Sequence, residues 1–243
     1  MAPGIVALYR ELVSLGEVIV VAPETVQSGT GHGITLDAPL LTTRVTVDNG
    51  FTGTSVGGRP ADCVKLAINQ LLPRRPDLVV SGLNSGANVG INVIYSGTVA
   101  AAIEAAFLGL PSIAASLYLR NKIDTDFAGA SKHAVNVIRQ IVKTGIAPGQ
   151  VASINIPALA KGEHPTGVRV VRQCVRPWID TYEKRVDPRG REYFWNSSIF
   201  TLGDTEADTD VAALRDGYIT VTPLQFDLTH YPMMHEWADR DWR

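Results

Sequence analysis

The feature that most restricts the fold is an alternation of apolar strands and helices in the first half of the chain. Two runs rich in β-branched residues, Glu17–Ala22 and Asp77–Ser81, have the continuous apolar character of strands buried on both faces of a parallel sheet. An Ala-rich helix begins at Thr98, and a further strand follows at Pro111–Ser116. Helical patterns also occur at Gly4–Leu15, Pro60–Leu72 and Phe127–Lys143. This order predicts an α/β fold with a Rossmann-like, mostly parallel sheet and helices on both faces.

The second half of the chain is richer in short strands. The sequence DPRG at Asp187–Gly190 predicts a hairpin turn, and YITVTPL at Tyr218–Leu224 predicts a strand. We therefore predict a core of residues 1–150 and a strand-rich part of residues 151–243 that completes the sheet. The C-terminal hairpin extension is expected to form an oligomerisation arm that embraces a second copy of the chain.

Composition and charge exclude several classes of protein. The net charge is −2 and the isoelectric point is about 6.2, without the basic patch that a nucleic-acid polymer requires. The N-terminus lacks the layout of a signal peptide, and no apolar run approaches the ~20 residues of a transmembrane helix. Cys63 and Cys174 are too few for a disulfide framework and are expected to be buried. We expect a soluble cytoplasmic protein without nucleic-acid or membrane partners.

A polar loop at Ser81–Thr98 carries the strongest functional signal, because it lies where a predicted strand ends and a helix begins. Its glycines let backbone N–H groups turn toward a ligand, and the helix N-terminus adds partial positive charge. The loop therefore predicts a site for a phosphate-sized anion. The alternative is a plain connection in which Ser96 only caps the helix. Its glycines and polar residues are Gly82, Gly86, Gly90, Gly97, Asn84, Asn88, Asn92, Ser96 and Thr98.

A second polar loop, Gln27–Gly33, follows the first strand and is expected at the same edge of the sheet. Ser28 and His32 are its candidate site residues, with a solvated loop histidine as the alternative for His32. The glycine spacing of the loop and the strand-like sequence after it exclude a dinucleotide fingerprint, so an NAD-linked oxidoreductase is set aside. Ser55 fits the pattern of a nucleophile elbow, but Gly57, Gly58 and Pro60 replace the required helix, and a strand end is preferred.

The string SGLNSGANVGINVIYSGTVAAA, which begins at Ser81, is specific enough to compare with known families. Further motifs accompany it in order: APGI at Ala2–Ile5, VVAP and SGTGHGITL within Val20–Leu36, GGRPADCV at Gly57–Val64, DPRG, and GYITVTPLQFDLT at Gly217–Thr229. Together they resemble the SurE family, the survival protein E nucleotidases. The likeness extends over nearly the whole chain.

The resemblance implies a metal-dependent phosphatase that hydrolyses nucleoside 5′- and 3′-monophosphates with Mg²⁺ or Mn²⁺. The family holds its metal with two adjacent aspartates, a serine and an asparagine, and the last two correspond to Ser28 and Asn84. Ser96, Gly97 and Thr98 match the part of the loop that receives phosphate, and we add Asn88 of the same loop to the predicted phosphate site. The resemblance also implies a homodimer or homotetramer with exchanged C-terminal segments.

The two aspartates have no counterpart in this sequence. In the family they lie in an Asn-Asp-Asp-Gly segment after a first strand, shortly before APGI, whereas Met1 stands at that point here. A hard divalent cation prefers carboxylate ligands, so the catalytic residues stay unassigned. Two interpretations are open: a start codon placed too late, which we favour, and a truncated, catalytically inactive nucleotide- or phosphate-binding relative. In both, we expect a gap in the sheet that exposes the edges of neighbouring strands. His230 follows DLT directly and is left without a role.

Overall fold

The computed structural model describes residues 2–47, 51–119, 125–177, 180–197 and 202–242. Met1 lies outside them. The helices are α1 Pro3–Leu12, α2 Pro60–Leu66, α3 Asn92–Tyr95, α4 Gly97–Phe107, α5 Phe127–Thr144, α6 Asp210–Arg215 and α7 Tyr231–Ala238. The strands are β1 Val20–Pro23, β2 Thr42–Val47, β3 Phe51–Val56, β4 Val79–Ser85, β5 Ser112–Leu117, β6 Val151–Ile156, β7 Gly167–Val170, β8 Tyr182–Val186, β9 Glu192–Asn196 and β10 Tyr218–Leu224. None of the helices in these ranges is long and apolar enough to cross a bilayer.

The main sheet has five strands in the order β4-β5-β6-β10-β7. Strands β4, β5 and β6 run parallel, and β10 runs antiparallel to β6 and parallel to β7. All residues of β5 and β6 are buried, as expected for central strands covered on both faces. The mostly parallel α/β fold predicted from the sequence is confirmed.

Helices cover both faces of this sheet. On one face, Leu8 of α1 and Ile138 of α5 pack against Ile113 of β5 in the largest apolar cluster. On the other face, Val99 and the small side chains of α4 pack against Ala114, the next residue along β5. Successive side chains of a strand point to opposite faces, so β5 supplies both cores.

The first predicted strand belongs to a separate three-stranded sheet of order β1-β3-β2. Among the described residues, β1 pairs only with β3, and β4 pairs only with β5. An open cavity of about 1900 Å³ is lined by α1 and by both of these strands. The predicted gap in the sheet therefore lies between β1 and β4. Both strands were expected to be buried on both faces, but their valines are only half-buried because the cavity opens beside them.

The C-terminal extension packs little against the rest of the described chain. The predicted hairpin is present as β8 and β9, with Gly190 N donating to Asp187 O at 2.9 Å in its turn. Every residue of the two strands is exposed, and α7 has no buried residue. The role of this extension in oligomerisation and the division of the chain at residue 150 stay predictions.

Several element boundaries differ from those predicted. Strand β1 begins at Val20 rather than at Glu17, and the predicted helix to Leu72 continues beyond α2 only as a π-helical stretch, Ala67–Leu71. Ser81–Thr98 is not loop throughout: β4 continues to Ser85 after a register shift that pairs Asn84 with Ser116. The four residues of α3 are also helical, and a single turn is too short to show helical periodicity.

Asp62, near the start of α2, ties this helix to the segment that precedes β2. It is 3% exposed, and its carboxylate accepts hydrogen bonds from Thr35 N at 3.0 Å, Thr35 Oγ1 at 2.7 Å and Arg59 N at 2.9 Å. Burial raises the pKa of Asp62, but these hydrogen bonds together outweigh burial and hold the pKa below its ordinary value. The charged carboxylate of Asp62 therefore holds Thr35 against α2, and it is also the acidic residue of the first turn of that helix.

We expect Asp62→Asn to lower the free energy of unfolding by about 1–3 kcal/mol at neutral pH, because an amide cannot accept all of these hydrogen bonds. The folded pKa is depressed, so the stabilisation is present above the unfolded value of 3.8 and is lost as pH falls through the folded pKa. Urea unfolding at neutral and acidic pH measures the difference, with the exposed Asp77→Asn as the control. A pH-independent deficit would contradict the assignment.

Candidate functional site

The two polar loops meet at one edge of the fold. Gly31 N donates to Tyr95 O at 3.0 Å, which joins the loop after β1 to the residues before α4. A Cβ atom at Gly97 would lie 2.9 Å from Pro60 Cγ and 3.3 Å from Gln27 O, so only glycine permits this close approach. The predicted site residues all line the cavity between β1 and β4, namely Ser28, Asn84, Asn88, Ser96, Gly97 and Thr98.

The N-terminus of α4 forms part of this cavity wall. Ser96 is the N-cap, and its Oγ accepts a hydrogen bond from Val99 N at 3.1 Å. The capping role that the alternative interpretation predicted for Ser96 is therefore present. The first N–H groups of a helix have no partner within it, so Gly97 and Thr98 present theirs at the positive end of the helix dipole. This geometry can bind a phosphate oxygen.

Asn84 and Asn88 hold different positions along the loop. Asn84 lies where the pairing of β4 with β5 resumes after the register shift, and it donates from Nδ2 to Gly86 O at 2.8 Å. Asn88 is buried, donates from its backbone N to Asn155 Oδ1 at 2.8 Å, and donates from Nδ2 to Ser116 Oγ at 2.7 Å. Asn88 therefore anchors the loop to β5 and β6. Direct contact of Asn88 with phosphate stays a prediction.

Asp210, the first residue of α6, is a residue of this region that the sequence did not reveal. It is 1% exposed, and it accepts hydrogen bonds from Gly90 N at 2.9 Å, Cys174 N at 2.9 Å and Val211 N at 2.8 Å. Burial raises the pKa of Asp210, and the three backbone N–H groups only partly oppose this effect. In sequence it looks like an ordinary acidic residue of a first helical turn, because its partners lie far away along the chain.

We expect Asp210→Ala to lower the free energy of unfolding by about 1–3 kcal/mol, since it leaves buried N–H groups without an acceptor. Gly90 should also become more mobile, because its N–H loses the hydrogen bond that holds the middle of the loop Ser81–Thr98. Asp208→Ala is the matched control, because Asp208 is exposed and pairs with Arg172, and exposed pairs contribute about 0–1 kcal/mol. Equal effects of the two substitutions in chemical denaturation would contradict the anchoring role.

The remaining candidates lie apart from the phosphate loop or have structural positions. Ser55 belongs to β3, as the preferred interpretation predicted, and no helix follows it directly. His230 caps α7 by accepting from Met233 N at 3.1 Å, and it lines a separate cavity of about 440 Å³.

Cys63 and Cys174 are buried free thiols, as expected, and burial raises the pKa of Cys63 to about 12. His32 lies on the second loop but contacts α4.

The described residues do not complete a site for a divalent cation. Ser28 is exposed and Asn84 is half-buried on the cavity wall, and together they offer two neutral oxygens. Within the described ranges, no group of three or more His, Cys, Asp and Glu side chains is arranged to hold a metal. Mg²⁺ and Mn²⁺ prefer carboxylate ligands, so Ser28 and Asn84 fit as part of a metal site and not as the whole of one.

Comparison with known proteins shows the family of this chain. The model of the family described as Survival protein SurE matches residues 1–180. The chain belongs to the SurE family. Among similar proteins, the 5′-nucleotidase SurE of Rhodopirellula baltica is 46% identical over 241 residues, covering 98% of this chain and 93% of that protein. The 5′-nucleotidase SurE of Christiangramia forsetii is 44% identical over 230 residues, covering 94% of this chain and 88% of that protein.

A solved SurE structure supports the same assignment. The crystal structure of the SurE protein from Aquifex aeolicus superimposes with a TM-score of 0.81 at 39% sequence identity, covering 97% of this chain and 93% of that chain. The SurE resemblance inferred from the motifs is therefore confirmed at the level of the family and of the fold.

Proposed function

We propose that this SurE protein is a metal-dependent phosphatase that hydrolyses nucleoside 5′-monophosphates, and also 3′-monophosphates, to nucleoside and phosphate. The observation that carries the proposal is that the α4 N-terminus, Ser28 and Asn84 line the same cavity. Relatives 44% and 46% identical are 5′-nucleotidases by name, which supports the same substrate class.

The phosphate group of the substrate binds at the N-terminus of α4. Backbone N–H groups of Gly97 and Thr98 donate to its oxygens, and the positive end of the helix dipole stabilises the negative charge that develops during P–O cleavage. Ser96 holds the first turn in shape through its bond to Val99 N. Neutral N–H donors hold phosphate less tightly than charged side chains would, which suits a site that must release phosphate after the reaction.

The proposal includes Mg²⁺ or Mn²⁺ bound by Ser28 and Asn84 together with carboxylates that the described residues do not supply. When bound, such an ion neutralises phosphate charge and lowers the pKa of a coordinated water. Among the described residues, β1 and β4 each leave one edge unpaired beside the cavity, and these edges are suited to accept one more extended segment. The SurE resemblance places two aspartates after such a strand, in an Asn-Asp-Asp-Gly segment.

The decisive test measures phosphate release from 5′-AMP and 3′-AMP with Mn²⁺ or with EDTA. We compare the 243-residue chain with the same chain preceded by an apolar strand that ends in Asn-Asp-Asp-Gly. Turnover is expected in the extended chain, only with metal, and it should fall by about a hundredfold or more when both aspartates are replaced by Asn. An extended chain that binds AMP but releases no phosphate would contradict the phosphatase proposal.

The proposal also includes self-association through the C-terminal extension and action in the cytoplasm. The hairpin and the segment around α7 expose large apolar side chains, including Phe194 at 59%, Trp195 at 58% and Trp242 at 70%. Exposed aromatic side chains on projecting elements are typical of protein interfaces. The buried free thiols Cys63 and Cys174 are compatible with a reducing compartment.

We expect the chain to form a homodimer or homotetramer, and Trp195→Lys to weaken assembly by about tenfold or more because it places a charge in the buried interface. Val142→Lys is the control, because Val142 is 49% exposed on α5, away from the hairpin. Sedimentation equilibrium measures the association constants. Loss of assembly in the Val142 variant alone would place the interface elsewhere.

A further inference from the structure

Glu104 is a buried charge that the proposed chemistry does not use. It lies on α4, six residues after Thr98, and is 5% exposed. Its Oε2 accepts from His32 Nε2 at 2.8 Å, and its Oε1 lies 3.4 Å from Lys65 Nζ on α2. A buried carboxylate requires such partners, because removing it from water without them is strongly unfavourable.

The ring of His32 is fixed by packing as well as by this hydrogen bond. It stacks on Phe107 with ring centroids 5.2 Å apart and an interplanar angle of 9°. Phe107 in turn meets Phe226 edge-on, with centroids 4.6 Å apart. The side chain of His32 is 29% exposed, so it is partly withdrawn from solvent and is not the freely solvated loop histidine that the alternative interpretation predicted.

Two hydrogen bonds join the loop Gln27–Gly33 to residues near the α4 N-terminus or on α4: Gly31 N donates to Tyr95 O, and His32 donates to Glu104. Thr35, two residues beyond the loop, donates to Asp62. Of these hydrogen bonds, that of His32 reaches a side chain of α4. The rise of a helix is about 1.5 Å per residue, so Glu104 lies about 9 Å along the axis from Thr98. One rigid helix thus carries both the anion-binding terminus and the acceptor for His32.

We propose that His32 is a positioning residue that, through Glu104, fixes the loop Gln27–Gly33 and its Ser28 relative to the phosphate-binding N-terminus of α4. The effect of His32 on substrate binding rests on the proposed function. The fixing of the loop by His32 does not depend on that function. The described contacts of the His32 ring are with Glu104 and Phe107 and not with any residue expected to bind phosphate or metal, so His32 acts through Glu104 and the loop.

The first test measures amide hydrogen exchange of the loop in the 243-residue chain, which requires neither turnover nor metal. His32→Ala should raise exchange of residues 27–33 by about tenfold or more, since a charge-assisted hydrogen bond is lost. His32→Gln, which keeps a side-chain N–H donor, should restore most of the protection. Lys65→Met is the matched control: it removes the other partner of Glu104 and leaves His32 in place, so the loop should stay protected.

Unchanged exchange in His32→Ala overturns the proposal. So does an equal loss of protection in Lys65→Met, because the effect would then come from the charge of Glu104 and not from His32. Failure of His32→Gln to restore protection also overturns it, since the hydrogen bond would not be the cause.

The second test measures binding of AMP by calorimetry in the same variants. His32→Ala should weaken AMP binding by about fivefold to tenfold, and His32→Gln should restore it, because a loosened loop must be ordered on binding. A loosened loop with unchanged AMP affinity overturns the positioning role. If the 243-residue parent binds no AMP, the calorimetry is repeated in the extended chain, where unchanged affinity in His32→Ala again overturns the positioning role. Phosphate release by the extended chain tests the proposed function separately.

Discussion

The packing of α4 against the main sheet is the constraint on which the rest of the site depends. The helix presents Val99, Ala102 and Ala106 to Ala114 of β5, and small side chains at the contact allow it to lie close to the sheet. This fixes the position of its N-terminus, which is the proposed anion-binding end. Any displacement of the helix would move the proposed phosphate site and the acceptor of His32 together.

Buried polar anchors then set the shape of the loops around this helix. Asn155 of β6 holds Asn88, Asp210 of α6 holds Gly90, and Asp62 of α2 holds Thr35. Each anchor satisfies backbone groups that would otherwise be buried without partners, which is unfavourable by about 1–3 kcal/mol per group. The site is therefore built by elements from both halves of the chain, and Asp210 in particular links the C-terminal region to the phosphate loop.

The unpaired edges of β1 and β4 are the unusual feature of the described fold. Exposed strand edges normally attract further pairing, and here they face an apolar cavity that also opens at the predicted site residues. An extended segment in this position would complete two hydrogen-bond ladders and cover the apolar wall of α1. The same placement would bring the end of that segment toward the cavity that Ser28 and Asn84 line, where the proposed metal site lacks charged ligands.

The sequence by itself determined the fold class, the family and the location of both polar loops. Strand runs, the Ala-rich helix after Thr98 and the motif around Ser81–Thr98 are local signals, because burial on both faces and helix capping leave patterns within a few residues. The helix at α3 and the continuation of β4 to Ser85 were missed, since one turn and a pairing across a register shift leave no local period.

Only the tertiary structure decided which side chains hold the site together. The contact of His32 with Glu104 joins residues 72 positions apart, and that of Asp210 with Gly90 joins residues 120 positions apart. No spacing rule connects such pairs, because their proximity follows from the way the helices pack on the sheet. The sequence could place Ser28 and Asn84 at strand ends, but that they line one cavity with the α4 N-terminus follows from the closure of the fold around it.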